Sequence, residues 1–278
     1  MGVTAGRRGE PLSPFPQQGG TAMMPAEPLE PVPGAVYVVL GATGGIGSAL
    51  SRRLAASDAR LLLAARDVGK LEELADSLGA ECRSVDATRF EQVEACVARA
   101  VELFGRVDGV ANCVGSVLLK PAHLTKEDEF NDTLALNLGS AFAAVRAAAR
   151  AMMKAGGSIV LVSSAAARVG LVNHEAIAAA KGGVSGLVLA AAATYARYNI
   201  RVNAVAPGLV RTAATESITR NEVSERVSIA MHAAGRLGTP RDVASVMAWL
   251  LNPRNDWVTG QVLGIDGGLS TVRTRVSA

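Results

Sequence analysis

From residue 36 onward, short and continuous apolar runs alternate with amphipathic helical patterns. The runs VYVVL (36–40) and RLLLAA (60–65) are each followed by a segment with helical spacing, and later runs at 82–86, 107–113, 157–164 and 200–208 continue the series. Apolar runs without polar alternation are typical of parallel strands buried on both faces. The strand–helix repetition therefore predicts an α/β fold, a doubly wound parallel sheet with helices on both faces.

The first 34 residues differ in composition from the rest of the chain. They hold seven of the eleven prolines and show neither helical nor strand periodicity, which predicts a disordered extension rich in proline and glycine. Residues 35–278 contain no proline-rich linker and no second pattern, and the whole chain is 49% hydrophobic. We therefore expect residues 35–278 to form one domain with a sizeable core.

Charge and cysteine content exclude several classes of function. The 28 basic and 25 acidic residues are interspersed and give a net charge of +3, so no basic run predicts a nucleic-acid or membrane partner. No apolar run approaches the ~20 residues of a membrane-spanning helix. Cys82, Cys96 and Cys113 lack metal-ligand spacing, which favours reduced thiols in a cytoplasmic protein without a metal site.

A glycine-rich turn directly follows the first predicted strand. In VLGATGGIGSALSRRL, Gly41, Gly45 and Gly47 precede an amphipathic helix. Glycine is needed where the chain turns sharply and where its backbone approaches a pyrophosphate, and the N-terminus of the helix offers free N–H groups and partial positive charge to that anion. This arrangement predicts a single-domain Rossmann fold that binds a dinucleotide.

The end of the second predicted strand bears on the choice of nucleotide. An acidic residue at this point would bind the ribose 2′-hydroxyl of NAD, but the sequence LLLAARD has Ala65 there, followed by Arg66. An arginine suits a 2′-phosphate, so NADP(H) is favoured over NAD(H). An Arg66 that only stacks on adenine is the alternative interpretation, and the neighbouring Asp67 leaves the selection open.

The spacing Gly41-x3-Gly45-x-Gly47 resembles that of the short-chain dehydrogenase/reductase family, and further motifs follow in the family's order over residues 35–270. The segments SVDATR, NCVG, LALNLGSAF, IVLVSSAAA, RVNAVAPGLVRT and VTGQVLGIDGG each resemble a family segment. The resemblance implies a homodimer or homotetramer that acts on a small molecule. It also implies cofactor contacts from Gly41, Thr43, Gly45, Ile46, Gly47, Arg66, Asp86, Asn112, Lys181, Pro207, Gly208 and Thr212.

The sequence departs from the family at one catalytic position. The family pattern is Tyr-x3-Lys, with the tyrosine thirteen residues after the catalytic serine, and counting from Ser164 or back from Lys181 gives Ile177 in both cases. In the family, the tyrosine donates a proton to a carbonyl oxygen as hydride reaches the carbon. The lysine holds the nicotinamide ribose, and the serine binds the substrate oxygen. Isoleucine has no proton to donate, and general acid catalysis typically contributes about 10²–10⁴-fold.

His174 is the candidate replacement for the missing proton donor. It lies seven residues before Lys181, so on a helix the two residues would share a face with Ile177, and Asn173 is predicted to cap that helix. A first-turn histidine without a role is the alternative interpretation. With Asn137, which by resemblance holds a proton-relay water, the candidate catalytic residues are Asn137, Ser164, His174 and Lys181.

We therefore predict an NADP(H)-dependent oxidoreductase that reduces a carbonyl or a conjugated enone. Two alternatives stay open because Ile177 replaces the proton donor. One is a redox-inactive nucleotide-binding protein with a regulatory or assembly role, and the other is a non-redox lyase or isomerase on the same fold. Residues 212–238 resemble the region that covers the substrate in the family, but they contain no aromatic residue and do not specify a substrate.

Overall fold

Seven parallel strands form a single sheet in the computed structural model, which describes residues 32–273. The strands are β1 (Val36–Leu40), β2 (Arg60–Ala65), β3 (Glu81–Ser84), β4 (Gly109–Asn112), β5 (Gly157–Val162), β6 (Ile200–Pro207) and β7 (Val262–Ile265). Their order in the sheet is β3-β2-β1-β4-β5-β6-β7. The chain therefore builds outward from β1 in one direction and from β4 in the other, which leaves a crevice at the carboxyl ends of these two strands.

Helices cover both faces of the sheet. They are α1 (Gly45–Ala55), α2 (Val68–Leu78), α3 (Phe90–Phe104), α4 (Glu127–Leu134), α5 (Ser140–Met152), α6 (Glu175–Tyr195), α7 (Glu216–Thr219), α8 (Glu222–Met231) and α9 (Pro240–Leu251). Helices α1, α2 and α9 share one core with Tyr37 and Val39 of β1. Helices α3, α5 and α6 share the other with Val36 and Val38. Alternate side chains of a strand point to opposite faces, so β1 is apolar throughout because both of its faces are buried.

This architecture confirms the predicted doubly wound Rossmann fold, with β1 and β2 at the predicted bounds. The expectation of burial on both faces is wrong for β3, which forms an edge of the sheet and is largely exposed. The opposite edge, β7, was not predicted as a strand and pairs in parallel with residues 204–207 of β6. The predicted extension over residues 1–34 falls almost wholly outside the described residues and stays a prediction.

Within residues 32–273, one helical stretch, Glu175–Tyr198, is long and apolar enough by composition to cross a membrane. The expectation that no apolar run approaches that length is therefore wrong for this stretch. Core helices meet the same criterion. This stretch includes α6, whose Ile177, Val184 and Val188 are buried and which packs against β6. The apolar composition of α6 is thus explained by its position on the sheet.

Candidate active site

Two adjoining cavities form one cleft at the carboxyl ends of the strands. The outer cavity, of about 630 Å³, lies between the ends of β1, β2 and β4. The inner cavity, of about 390 Å³, lies between the ends of β4, β5 and β6 and the start of α6. The two share five lining residues, Thr43, Gly44, Cys113, Val114 and Gly115. A third cavity, of about 680 Å³, lies at the amino ends of β5 and β6, and none of the predicted site residues lines it.

The turn between β1 and α1 brings backbone to the junction of the two cavities. Gly41 has a φ of +74°, and a Cβ on Gly47 would lie 2.2 Å from the carbonyl oxygen of Gly41. Helix α1 begins after Gly44 without a side-chain cap, and its first turn contains no acidic residue. Its first N–H groups and the positive end of its dipole are therefore left for an anion.

The far end of the outer cavity carries charged side chains. Arg66 is exposed there. Asp67 caps α2 by accepting a hydrogen bond from the backbone N–H of Lys70, 3.2 Å away, and its carboxylate also pairs with the Lys70 ammonium at 3.0 Å. These contacts lower the pKa of Asp67. The pKa of Asp86 is lowered chiefly by hydrogen bonds from the backbone and hydroxyl of Thr88.

The inner cavity brings together several predicted catalytic residues. Ser164 follows β5, and its Oγ accepts a hydrogen bond from the backbone N–H of Ala166, which leaves its own hydroxyl proton free to donate. Ile177 and Lys181 lie one turn apart on α6, and both line the cavity. Ile177 is 4% exposed, so hydrocarbon fills the position that carries a hydroxyl in the family pattern.

Lys181 is a buried cation at the wall of the inner cavity. Its side chain crosses to the end of β5, where Nζ donates a hydrogen bond to the Val162 carbonyl oxygen at 2.8 Å. Removal of the ammonium from water lowers the pKa of Lys181 to about 8. The neighbouring Cys113 thiol has its pKa raised by burial to about 12, so it is neutral near pH 8.

Asn137 reaches the inner cavity from a π-helical turn. Residues Ala135–Gly139 form this wider turn between α4 and α5, and such turns occur frequently at functional sites. The Asn137 Oδ1 accepts a hydrogen bond from the backbone N–H of Ser116 at 3.3 Å, and its Nδ2 donates to the Ser116 hydroxyl and to the Thr133 carbonyl oxygen. Ser116, which the sequence did not single out, thus positions the amide.

Three sequence-based placements differ from the structure. His174 does not line the inner cavity; it precedes α6 as its N-cap residue, and its Nδ1 lies 2.7 Å from the Val172 carbonyl oxygen. Asn173, the predicted cap, has a φ of +63° one residue earlier and does not cap the helix. Asn112 lines neither cavity, because its side chain is buried between Ser140 and the Val114 backbone.

The remaining predicted cofactor residues line the cleft, except for Gly47, which is buried in the turn. Pro207, Gly208 and Thr212 line the inner cavity together with Thr43, Gly45 and Ile46. Sequence patterns assigned no role to His232, yet this residue fixes the same wall. Its Nε2 accepts a hydrogen bond from the Leu209 backbone N–H at 3.2 Å, and its Nδ1 lies 2.6 Å from the Ser228 carbonyl oxygen in α8. No spacing rule reveals a contact between residues 23 positions apart.

Comparison with known proteins agrees with this geometry. A family model described as Enoyl-(Acyl carrier protein) reductase matches residues 41–270. This match includes the glycine turn, the inner cavity and the carboxyl-terminal strand. The chain belongs to the short-chain dehydrogenase/reductase family of oxidoreductases, whose members bind NAD(P)H.

Individual relatives align over most of their length. The 3-oxoacyl-(acyl-carrier-protein) reductase FabG of Vibrio cholerae serotype O1 is 34% identical over 239 residues, which cover 85% of this chain and 97% of the relative. The trans-4-hydroxycyclohexanecarboxylate dehydrogenase of Sinomonas cyclohexanicum is 33% identical over 244 residues, which cover 84% of this chain and 92% of the relative.

Solved structures of similar fold include a short-chain dehydrogenase/reductase from Mycobacterium ulcerans, with a TM-score of 0.84 and 28% identity over 87% of this chain and 92% of that one. A single-residue variant of the actinorhodin polyketide ketoreductase, solved with NADPH, superposes with a TM-score of 0.81 and 30% identity, and the match covers 86% of this chain and 98% of the ketoreductase.

The cleft fits the dinucleotide that the family binds. The close approach of Gly47 to Gly41 leaves no room for a Cβ, and Gly44 and Gly45 at the start of α1 are exposed. The outer cavity provides space beside the exposed Arg66, and the inner cavity continues from it past Gly115. A pyrophosphate at the junction would thus have one nucleoside on each side.

Proposed function

We propose that this protein is an NADP(H)-dependent reductase of a carbonyl or a conjugated enone. The observation that carries the proposal is the continuity of the cleft, in which the outer cavity beside Arg66 opens into an inner cavity bordered by Ser164 and Lys181. When bound, the dinucleotide supplies a hydride. Ser164 would donate a hydrogen bond to the substrate oxygen, and Asn137 would fix the cavity wall beside Lys181 through its hydrogen bonds with Ser116.

The preference for NADP(H) rests on the charges at the far end of the outer cavity. Ala65 ends β2 without a carboxylate, and Arg66 follows it at the rim. Asp67 is occupied by its contacts with Lys70, which leaves Arg66 as the exposed partner for a phosphate. An arginine binds a 2′-phosphate through charge-assisted hydrogen bonds, so this arrangement supports the phosphorylated nucleotide.

The lining of the inner cavity supports a neutral and mainly apolar substrate. Among residues 32–273, Lys181 is the one charged residue of this lining, and aliphatic side chains from four parts of the chain make up much of the wall, including Ile46, Val117, Ile177 and Val210. Such a wall binds hydrocarbon and leaves the polar side chains to orient a single oxygen.

A redox-inactive nucleotide-binding protein is the second candidate function, and the buried Ile177 favours it. The two functions differ in one measurable property. A reductase oxidises NADPH in the presence of a carbonyl or an enone, whereas the inactive protein binds NADPH and leaves it reduced.

The test begins with fluorescence titrations of the protein with NADPH and with NADH, followed by absorbance assays of NADPH oxidation with electron-poor ketones and enones. We expect NADPH to bind more tightly than NADH and to be oxidised slowly. The variant Ile177→Tyr restores an acidic hydroxyl and should raise turnover by about 10- to 100-fold, within the range of general acid catalysis.

The outcomes separate the candidates. Binding of NADPH without oxidation by the wild type or by Ile177→Tyr would support the inactive protein. Conversion of a substrate without any change in cofactor absorbance would indicate a lyase or isomerase instead. Absence of binding of either nucleotide would overturn the proposal.

We also propose that the protein is a cytoplasmic homo-oligomer, either a dimer or a tetramer. Exposed apolar side chains on α5 and α6 support association, since Phe142 is 49% exposed and Leu189 is 62% exposed. The three cysteines are free thiols, which agrees with a reducing compartment.

A further inference from the structure

The inner cavity contains a strong candidate for the missing proton donor, although the side chain expected in that role is absent. Lys181 is 6% exposed and lies one helical turn beyond Ile177. An ammonium group has three N–H donors, of which the Val162 carbonyl oxygen uses one. The remaining protons are not tied to any other hydrogen-bond partner among residues 32–273.

Gly115 shows where the ammonium lies within the cavity. A Cβ on this residue would be 3.4 Å from Lys181 Nζ and 2.8 Å from Asn137 Oδ1, so both polar atoms border the space above the Gly115 backbone. The residue lines the outer and the inner cavity alike. The Lys181 ammonium is therefore at the passage between the nucleotide and the substrate.

Other proton donors in this region are less suitable. The Ser164 hydroxyl gives up a proton far less readily than an ammonium group does. The Cys113 thiol holds its proton until about pH 12 because it is buried, and the His174 ring lies outside the cavity, beside the Val172 carbonyl oxygen. Asn137 has no acidic proton.

We propose that Lys181 itself donates the proton to the substrate oxygen in this protein, a role that rests on the proposed reductase function. The bound nicotinamide would supply the hydride, whose electron pair forms the new bond at the carbonyl carbon. The π electrons of the C=O bond move to oxygen, which takes a proton from Nζ and becomes a hydroxyl. The neutral Lys181 amine then regains a proton from solvent, so that the ketone, NADPH and one solvent proton would be converted to the alcohol and NADP⁺.

The environment of Lys181 suits this role. Burial brings its pKa to about 8, and a general acid works best when its pKa lies near the working pH. The titratable neighbour that acts on it in the described part of the chain is Cys113, which stays neutral in this range. Because the ammonium is the active form, turnover should be constant below about pH 8 and fall tenfold per pH unit above it.

The experiment compares the wild type with Lys181→Arg and Lys181→Met, using NADPH and trifluoroacetophenone across pH 6–10. Arginine keeps the positive charge and the ability to hold a ribose, but it does not release its proton in this range. We expect Lys181→Arg to bind NADPH within about threefold of the wild type and to lose turnover by about 10²–10⁴-fold. Lys181→Met should lose both NADPH affinity and turnover.

His174→Ala is the matched control for the alternative donor. A fall in turnover of tenfold or more in His174→Ala, together with full turnover in Lys181→Arg, would overturn the proposal while leaving the reductase function intact. A wild type that binds NADPH without turnover, alongside an active Ile177→Tyr, would also overturn it, because Lys181 would then be present without acting as a donor.

A second measurement does not depend on turnover. Carbon-13 labelling of the lysine side chains allows the titration of Lys181 to be followed by NMR in the complex with NADP⁺, with Lys181→Arg identifying the signal. A titration midpoint between pH 7 and pH 9 supports the proposal. A midpoint near 10.5, the ordinary value for lysine, would contradict it.

Discussion

The two cavities of the cleft depend on different parts of the chain. The outer cavity and the junction are shaped by backbone, because the turn at Gly41 and Gly47 has no space for side chains. The inner cavity depends on a few side chains, and Ile177 lines it where the family resemblance predicts a tyrosine. A change at the turn alters the fold itself. By contrast, we expect a substitution at residue 177 to alter the chemistry of the cavity and to leave α6 packed.

The largest effect of a substitution is expected at the glycine turn between β1 and α1. In Gly47→Ala, the new Cβ would lie 2.2 Å from the Gly41 carbonyl oxygen, so the backbone that approaches the pyrophosphate must move. We expect NADPH affinity to fall by more than 100-fold and the free energy of unfolding to fall by about 1–3 kcal/mol.

Titration with NADPH and chemical denaturation measure these two changes. Gly186→Ala is the control, because a Cβ on this α6 residue meets no atom within 4 Å and alanine favours helix by about 0.5–1 kcal/mol over glycine. Normal NADPH binding by Gly47→Ala would show that the turn does not hold the pyrophosphate.

An intermediate effect is expected from a substitution of His232, which supports one wall of the inner cavity. A backbone N–H only donates and a carbonyl oxygen only accepts, so the His232 ring bonded to both Leu209 and Ser228 carries its hydrogen on Nδ1. His232→Leu leaves the Leu209 N–H without this acceptor, which should destabilise the protein by about 1–3 kcal/mol.

Because Gly208 and Val210 line the inner cavity, His232→Leu should also raise the KM for the ketone more than it changes kcat. The control is His123→Leu, at a histidine in a short 3₁₀ turn outside both cavities. If His232→Leu and His123→Leu were equally stable, the result would show that His232 does not support this wall.

The smallest effect is expected at the rim of the outer cavity. Arg66→Ala should weaken NADPH binding by about tenfold, or 1.4 kcal/mol, and leave NADH binding unchanged, since only the phosphorylated nucleotide presents the extra anion. Arg99→Ala removes the same charge from an ion pair with Glu102 on α3 and serves as the control. A parallel loss of NADPH and NADH affinity in Arg66→Ala would indicate stacking on adenine rather than selection of the phosphate.

Sequence patterns predicted the parts of the fold that depend on local periodicity. The run at β1 is wholly apolar, and the run at β2 is apolar after its exposed first residue, Arg60, because these strands lie inside the sheet. The short strand β7, VLGI, lies at the edge and is only partly buried, and its apolar run is shorter than those of β1 and β2. The glycine turn could equally be predicted from the sequence, because the spacing of its glycines reflects a steric requirement of the turn.

The site was harder to predict where a side chain's role depends on its direction. Helical spacing placed His174 on one face with Lys181, but the helix begins at Glu175 and the His174 ring turns to the preceding loop. Asn112 matched a motif and yet supports α5 from behind the cleft. The contacts of His232 and Ser116 arise from loop packing, which no periodic pattern encodes.

The π-helical turn at Ala135–Gly139 has a consequence for the geometry of the whole rod formed by α4 and α5. Each residue of an α-helix advances about 100° around the axis, so a wider turn introduces a phase slip between the segments on either side. The side that α4 presents inward, marked by the buried Thr133, is out of step with the side that α5 lays on the sheet. One continuous helical stretch can thus pack α5 on the sheet and α4 against α6.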